Sequence, residues 1–448
     1  MVQKIDKNPQ LDAFQIPLMH FIQNDHELVQ LSKKIDWDTL EENLSQYYCA
    51  ENGRPGIPIR LIAGVLMLKR MFDESDESVL DRWVENPYWQ YFCGETYFQH
   101  ELPFDRTELI KFRKRIGDKG AEQILKISID LYPKKEVKEK EVLIDTTVQE
   151  KNITYPTNAK LQKKVIENCR KIARKEKIQL RQTYKKELKQ LMIDQRFYYH
   201  PKRKKKADAA ARRIKVIAGK IYRDIDRQLD SAQRKEYQEL FKIFDQLLNQ
   251  QKKDKNKSYS IHQPYVQCIA KGKVAKKFEF GNKSSFVKTK KSGIIIGAMA
   301  FTENIYDGAT LDPQLNQVEE LIGGRPKVGV VDRGYRGKKQ VGGVQIIIPK
   351  KLPKTSTRYQ IQKIRKLFRA RAGIEPVIGH LKHDHRMSRN YLLDPEGDKV
   401  NTVLAAAGFN LRKMLQRIKA EAIEIFDLLL KSLFCINNGN NYPVYSEI

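Results

Sequence analysis

Three acidic residues stand out because the residues around them would place each carboxylate at a defined point of a fold. Asp145 follows the apolar run 142–144, and Asp332 follows the apolar run 328–331. Such runs are typical of buried strands, so we expect both acids at the rim of a sheet. With Glu375 as a third acid, they would bind two Mg²⁺ ions through oxygen ligands. One ion would activate an attacking oxygen and the other would stabilise a leaving oxygen.

Glu375 has neighbours that make its placement more specific. In a helix, Arg371 would lie one turn before it and Lys382 two turns after it on the same face. Such a stripe alone is typical of a solvated surface with ion pairs, and an Asp at a strand end often only caps a turn. Pro376 favours more, because it cannot donate a backbone hydrogen bond and crowds the preceding turn. We therefore expect the helix to kink or restart beside Glu375, which aims the carboxylate.

The overall charge points to a polyanionic partner. The 448 residues include 84 Lys and Arg against 55 Asp and Glu, a formal net charge of +29. Nucleic acid is the leading candidate, and a lysine-rich surface that is merely solvated is the alternative. The five scattered cysteines form no C-x-x-C pair, which is typical of reduced thiols and predicts no zinc site. No apolar run approaches the ~18 residues that span a bilayer. We expect a soluble, cytoplasmic protein that does not contact a membrane.

The residues around the third acid resemble a signature of one group of DDE transposases from bacterial insertion sequences. That signature reads Tyr-x2-Arg-x3-Glu-x6-Lys, and this chain has Phe368, Arg371, Glu375 and Lys382 at the same spacing. Phe368 departs from it by lacking the tyrosine hydroxyl. The resemblance implies an α/β fold: an RNase H-like catalytic domain with a large helical insertion, preceded by an all-α N-terminal domain.

The segments that begin at Asp145 and Asp332 are also similar to those of this group, and the resemblance extends to about residue 415. It implies that Asp145, Asp332 and Glu375 are catalytic and bind two Mg²⁺ ions, for which Mn²⁺ would substitute. The implied reaction begins with water, which attacks a DNA phosphodiester and releases a 3′-OH at the end of the element. That 3′-OH then attacks target DNA, without a covalent intermediate between protein and DNA.

The resemblance also implies how DNA is held. Arg371 and Lys382 would hold phosphates near the metal ions, Arg371 as a planar fork and Lys382 as a point charge. Arg333 and Arg336 are further candidates for the same role. The partners would be double-stranded DNA, as terminal inverted repeats and as target. Because two ends must be brought together, we expect a homodimer in the DNA complex, associated with the bacterial nucleoid.

The domain organisation follows from changes in pattern along the chain. Residues 1–135 read as helical and predict a DNA-binding domain of helix-turn-helix type, with a helical packing module as the alternative. Residues 136–158 and 259–417 would form the catalytic domain. Residues 159–258 have near-heptad apolar spacing and predict an inserted antiparallel helical hairpin. Residues 418–448 would form a C-terminal helix and tail.

Two short stretches of the sequence predict local features. The basic run 202–206 would lie at the tip of the inserted hairpin, either as a phosphate clamp or as a solvated loop. The pair Gly281-Asn282 predicts a hairpin turn at the end of a strand.

Two other functions compete with an active transposase. The first is a catalytically inactive DNA-binding derivative of a transposase, which would have no need for three acids. The second is an RNase H-like nuclease, which would cleave DNA without ever joining a 3′-OH to target DNA. Zinc has little support, because His380 and His383 form a pair at helical spacing with no Cys or further ligand at standard spacing.

Overall fold

The computed structural model describes residues 16–49, 56–251, 253–270, 277–348 and 356–437. The N-terminal region is helical, as predicted. Its helices are α1 Glu27–Lys34, α2 Trp37–Ser45, α3 Ile59–Met71, α4 Ser78–Glu85, α5 Pro87–Phe92, α6 Arg106–Asp130 and α7 Lys134–Val137. Pro58 precedes α3, and the side chain of Asp105 accepts a hydrogen bond of 2.8 Å from the backbone N–H of Thr107 at the start of α6.

A mixed sheet follows the helical region. Its strands are β1 Glu141–Glu150, β2 Gln267–Ala270, β3 Phe278–Thr289, β4 Ile295–Phe301, β5 Val328–Val330, β6 Gln340–Val341 and β7 Val344–Ile347. The order across the sheet is β2-β3-β1-β5-β7-β6. β2 pairs with residues 278–281 of β3, and β4 pairs with residues 283–288 of the same strand. The strands β1, β5 and β7 are parallel, whereas β3 runs antiparallel to β1. Together with the helices, this gives the mixed α/β architecture expected of an RNase H-like DDE domain.

The remaining helices cover the sheet or form an insertion. Helices α8 Asn158–Lys175, α9 Lys185–Gln195, α10 Lys204–Gln228, α11 Ser231–Glu236 and α12 Gln238–Asn249 lie between β1 and β2. Later in the chain come α13 Leu311–Ile322, α14 Arg358–Ala372, α15 Glu375–Asp384 and α16 Asp394–Asn437. The insertion is helical, as predicted, but it is not a simple hairpin of two helices, because it contains α8 to α12. Its first half is broken between α8 and α9, and α10 packs against both pieces while α12 packs against α8.

Two expectations about strands need correction. Asp145 does not end its strand, because β1 continues to Glu150 in pairing with β3. The pair Gly281-Asn282 is not a hairpin turn, since both residues lie inside β3. Gly281 is needed for a different reason: a Cβ at this position would collide with the carbonyl oxygen of Gln149 on β1. A strand glycine can mark such a close approach of backbones as well as a turn.

One continuous apolar cluster joins the N-terminal helices, the sheet and α16. Helix α16 packs against α3, α6 and β4, and its buried face includes Val403, Leu404, Ala407 and Leu411. The helical insertion has a separate apolar cluster around Ile217. Within the part of the chain that the structure describes, no helix is long and apolar enough to cross a membrane.

Candidate active site

The sheet register brings two of the predicted acids to equivalent positions on neighbouring strands. In the parallel pairing of β1 with β5, Leu143 lies opposite Val330. Asp145 is two residues beyond Leu143, and Asp332 is two residues beyond Val330. Because paired strands lie about 4.8 Å apart and residues two apart share a face, both carboxylates project from the same side. The pairing of β1 with β5 stops before the acids, so they lie where the parallel part of the sheet opens.

The backbone holds one oxygen of each carboxylate. Asp145 Oδ1 accepts a hydrogen bond of 2.9 Å from the N–H of Thr146. Asp332 Oδ1 accepts one of 2.7 Å from the N–H of Gly334, which caps the short 3₁₀ helix Arg333–Tyr335. The strand end of Asp332 is therefore also a capped turn, as the simpler interpretation of the sequence had it. The Oδ2 atoms of both acids face the Arg371 guanidinium.

Glu375 reaches the same place from a helix. The chain breaks between α14 and α15 at Gly373 and Ile374, and α15 begins at Glu375 with Pro376 in its first turn. The predicted restart beside Glu375 is thus present. It keeps Arg371, in the last turn of α14, next to Glu375: Arg371 Nη1 lies 2.6 Å from Glu375 Oε1.

Arg371 connects all three predicted acids. Its Nη2 lies 3.5 Å from Asp145 Oδ2 and 3.7 Å from Asp332 Oδ2, in addition to the contact of Nη1 with Glu375. The two aspartate oxygens can therefore be no farther apart than the sum of those two distances. We call Asp145, Asp332 and Glu375 the carboxylate cluster. One guanidinium faces three carboxylates, which leaves a surplus of negative charge.

The donor set of the carboxylate cluster suits hard cations. Carboxylate oxygens are the ligands that Mg²⁺ prefers, and clustered carboxylates repel one another unless cations neutralise them. Among the described residues, no group of three or more His, Cys, Asp or Glu side chains is already arranged as a metal site. Instead, the three carboxylates share the Arg371 guanidinium, which supplies the positive charge.

A fourth acid, Asp307, lies beside the carboxylate cluster, and it was not predicted from the sequence. Asp307 Oδ1 accepts a hydrogen bond of 3.0 Å from the Thr146 hydroxyl and lies 2.9 Å from Lys283 Nζ. A Cβ built on Gly334 would meet Asp307 Oδ2 at 2.8 Å and Asp332 Oδ1 at 2.9 Å, so both carboxylates border this glycine. Asp307 begins a short 3₁₀ helix before α13, and no apolar run precedes it that would have drawn attention to it.

Tyr335 lies near the acids of the cluster and was not singled out from the sequence either. Its side chain is fully buried, and burial raises its pKa well above the usual value, with the negative charge of Asp145 adding to the effect. The Tyr335 phenol therefore stays neutral beside the acids.

The other predicted DNA contacts lie around this site. Arg333 and Arg336 are exposed on the turn that follows Asp332. Lys382 is half-buried on α15, about two turns beyond Glu375. The structure thus brings Arg371 into contact with the acids and places the other three basic residues on the flanking elements. Phe368, at the tyrosine position of the signature, is 39% exposed on α14.

Comparison with known proteins identifies the class. Residues 16–115 match a family described as Transposase domain (DUF772), and residues 217–411 match the Transposase DDE domain family. The second match includes Asp332, Arg371 and Glu375, whereas Asp145 lies before it. An uncharacterized protein, ORF8 in the nfe locus of Rhizobium meliloti, is 39% identical over 193 residues, or 42% of this chain and 93% of that protein. No solved structure matches.

The chain therefore belongs to the DDE-type transposases of insertion sequences. It is an enzyme that acts on DNA, and divalent metal ions are in general the cofactors of DDE domains. Membership of the group with the Tyr-x2-Arg-x3-Glu-x6-Lys signature stays a prediction from the residues around Glu375.

Proposed function

We propose that this transposase cleaves the ends of an insertion sequence and joins the resulting 3′-OH ends to target DNA. The observation that carries the proposal is the carboxylate cluster, because folding brings three acids that are remote in sequence onto one guanidinium. A protein that only bound DNA would gain nothing from this arrangement, since clustered carboxylates repel phosphates. The inactive derivative and the nuclease remain as outcomes of the experiment below.

The carboxylate cluster would hold the metal ions of the reaction. The Oδ2 atoms of Asp145 and Asp332 face a common point, and Glu375 approaches that point from the start of α15. Two Mg²⁺ ions, or Mn²⁺ in their place, would supply activation of the attacking oxygen and charge stabilisation of the leaving oxygen. No covalent link between protein and DNA is needed, because one phosphodiester is exchanged for another.

Arg371 would change partners when DNA binds. In the free protein its guanidinium partly neutralises the three acids. Cations in the cluster would take over that neutralisation and repel Arg371. The side chain is 26% exposed and sits beside the cluster, so its fork can turn to the non-bridging oxygens of a phosphate.

The remaining basic residues would fix the strand on either side. Arg333 and Arg336 follow Asp332 directly, and Lys382 lies on the helix that begins with Glu375. We assign all three to contacts with DNA phosphates near the scissile bond. Such contacts position the backbone and carry no sequence information.

The wider organisation is proposed on the same basis. Residues 1–135 would bind the terminal inverted repeats, 136–158 and 259–417 would form the catalytic unit, and 159–258 would be the insertion. Because two ends of the element must be joined to one target, we propose a homodimer in the DNA complex. The continuity of α16 from Asp394 to Asn437 means that the expected boundary at 417/418 falls inside one helix.

A strand-transfer assay tests this proposal. Duplex DNA that ends in the inverted repeats flanking the gene is incubated with the protein, Mg²⁺ and a circular target plasmid. We expect cleavage at the repeat end and a product in which the new 3′-OH is joined to the plasmid, and we expect Asp145→Ala to lose both. Cleavage without joining would identify a nuclease, binding without cleavage an inactive derivative, and cleavage by Asp145→Ala would refute the metal assignment.

A further inference from the structure

A second, oppositely charged site lies where the N-terminal helices meet the segment after α15. A cavity of about 260 Å³ is lined there by four basic side chains and one carboxylate. We call it the junction pocket, and its charged lining residues are Lys69, Arg70, Asp76, Arg386 and Arg389. The cavity is smaller than the roughly 300–1,000 Å³ of drug-sized ligand sites, which favours a single charged group as occupant.

The positive charge at the junction pocket is built into the core. Lys69 is 5% exposed and Arg70 is 2% exposed, both at the C-terminal end of α3. Arg113 on α6 lies behind them and is 4% exposed. Buried cations are costly unless each is paired, so three of them in one place require either several carboxylates or an external anion.

Among the ion pairs of the described residues, one carboxylate contacts two of these three buried cations. Asp76 serves two of them, with Lys69 Nζ at 2.5 Å and Arg113 Nη2 at 2.7 Å. Asp73 is 3.9 Å from Arg386 and accepts from it mainly through its backbone oxygen, at 2.7 Å. Arg70 donates only to the carbonyl oxygen of His385, at 3.3 Å, among the contacts of the described residues.

The pKa values agree with a surplus of positive charge. Burial lowers the pKa of Lys69 to about 7; the Asp76 carboxylate opposes the shift, and the charges of Arg113 and Arg70 add to it. Burial also lowers the pKa of Arg70, and the charge of Arg113 contributes. Burial alone would raise the pKa of Asp76, but hydrogen bonds and charge from Arg113 and Lys69 hold it well below its usual value. The Asp76 carboxylate is thus ionised, and it contacts both Lys69 and Arg113.

One donor at the pocket has no partner. The Nε atom of Arg70 is buried and makes no hydrogen bond among the described residues. A buried N–H that stays unsatisfied carries a large desolvation cost, and Arg70 lines the cavity in which an anion would lie. Arg389 is exposed at the mouth of the pocket, next to Tyr391, which is 60% exposed.

We propose that the junction pocket binds a phosphate group of the DNA backbone. The proposal rests on the action of the chain on DNA, but it does not depend on cleavage or on metal ions. A phosphate carries the missing charge, and its oxygens accept the several N–H groups that Lys69, Arg70 and Arg389 present. Free phosphate has the same chemistry, so the experiment must separate the two sources.

The position of the pocket gives the contact a consequence. His385 follows the last residue of α15, and its Nδ1–H donates to the carbonyl oxygen of Arg70 at 2.8 Å. Arg386 donates to the carbonyl oxygen of Asp73. A phosphate bound at Arg70 would therefore hold DNA against the end of the same helix that presents Glu375 at its start.

Arginine modification with phenylglyoxal, read residue by residue by mass spectrometry, tests the pocket in the unmodified full chain. The reaction is run in EDTA with no addition, with inorganic phosphate, or with short duplex DNA. We expect duplex DNA to slow modification of Arg389 by about tenfold, because charge-assisted hydrogen bonds shield it, while Arg227, exposed on α10, is slowed less. Equal protection of both arginines would overturn the proposal. Protection of Arg389 by inorganic phosphate but not by DNA would assign the pocket to free phosphate.

A variant gives the second measurement. Arg389→Gln removes a charge at an exposed position, so the fold is undisturbed, and Arg227→Gln is the matched control. We expect Arg389→Gln to weaken DNA binding about tenfold and to reduce the salt-dependence slope by about 1. An unchanged affinity and slope would contradict the proposal. Asp145→Asn should keep full protection of Arg389, so loss of catalysis and loss of this contact are separable.

Discussion

The carboxylate cluster and the junction pocket lie at the two ends of one short helix and carry opposite surpluses of charge. In the cluster, three carboxylates share one guanidinium; at the pocket, two of the three buried cations, Lys69 and Arg113, share the Asp76 carboxylate. Glu375 begins α15 and His385 follows its last residue, about 15 Å along the helix axis. The two sites suit different parts of one reacting complex, since metal ions would fill the first and a phosphate the second.

A third charged site in the same protein has equal positive and negative charge. Lys151 and Asp398 are both buried and lie 2.5 Å apart, and the amides of Asn282 and Asn390 donate to the same carboxylate. One cation meets one anion, and the neighbouring amides satisfy the remaining oxygen positions. This pair needs no ligand. The charges of the Lys151–Asp398 pair therefore stabilise the fold, whereas the unbalanced charges of the carboxylate cluster and the junction pocket are left for a partner.

The largest effect should follow from removing one acid of the carboxylate cluster. Asp332→Asn keeps the shape of the side chain but removes a charge that would hold metal ions. We expect DNA cleavage to fall by at least about a thousandfold, with no loss of DNA affinity in EDTA. Gel-based cleavage and binding assays measure both. Asp312→Asn, at an exposed position on α13, is the matched control and should cleave normally; cleavage by Asp332→Asn at the control rate would remove it from the site.

Removing one partner of the buried Lys151–Asp398 pair should lower the stability of the fold but leave cleavage at saturating metal ion unchanged. Asp398→Ala leaves Lys151 buried and unpaired, which we expect to lower the free energy of unfolding by about 3–5 kcal/mol. The matched control is Asp226→Ala, which breaks an exposed pair with Arg234 and should cost under about 1 kcal/mol. Denaturant titration measures both. Equal losses would mean that burial of the pair is not what matters.

The contact between the pocket and α15 should be sensitive to acid. Burial lowers the pKa of His385 to about 4, although its hydrogen bond to Arg70 opposes the shift. Because the pKa of His385 is lower in the folded chain than in the unfolded chain, folding favours the neutral imidazole. The stability that this gives the fold is complete above about pH 6.5 and is lost as the pH falls towards 4. We expect a loss of about 3 kcal/mol across that window in denaturant titrations. His385→Gln should flatten this part of the pH profile; an unchanged slope would exclude His385 as its source.

The smallest effect concerns the guanidinium in the carboxylate cluster. Arg371 competes with metal ions for the three acids in the free protein, so Arg371→Gln should tighten Mn²⁺ binding several-fold in the absence of DNA. The same variant should cleave DNA more slowly, because a phosphate contact is lost. Titration calorimetry and cleavage rates test the two halves. Weaker Mn²⁺ binding by Arg371→Gln would show that Arg371 supports the metal ions instead of competing with them.

The sequence predicted the carboxylate cluster better than its surroundings. Apolar runs before Asp145 and Asp332 indicated the strands, and Pro376 indicated the break that aims Glu375, because these are local signals. Register is not local, so the alignment of Leu143 with Val330 that puts the two aspartates side by side could only be seen in the structure. The same holds for the end of β1, which continues past Asp145 because β3 pairs with it.

Neither the junction pocket nor the fourth acid, Asp307, could be predicted from short stretches of the sequence. Arg70 and His385 are 315 positions apart, and their contact depends on how α3 packs against the chain after α15. Asp307 follows no strand or helix pattern, and only its contacts with Thr146 and Lys283 reveal it. Gly281 shows the converse error, since a residue typical of turns was needed for close approach of two strands.

The decisive measurement for the role of the three acids is the number of divalent cations that the carboxylate cluster holds when DNA is bound. Mn²⁺ binding to the protein in complex with its terminal repeat DNA is counted by electron paramagnetic resonance, for the natural chain and for Glu375→Gln. We expect two tightly bound Mn²⁺ ions per chain, and at least one fewer in Glu375→Gln. The same number of ions in both proteins would contradict this expectation.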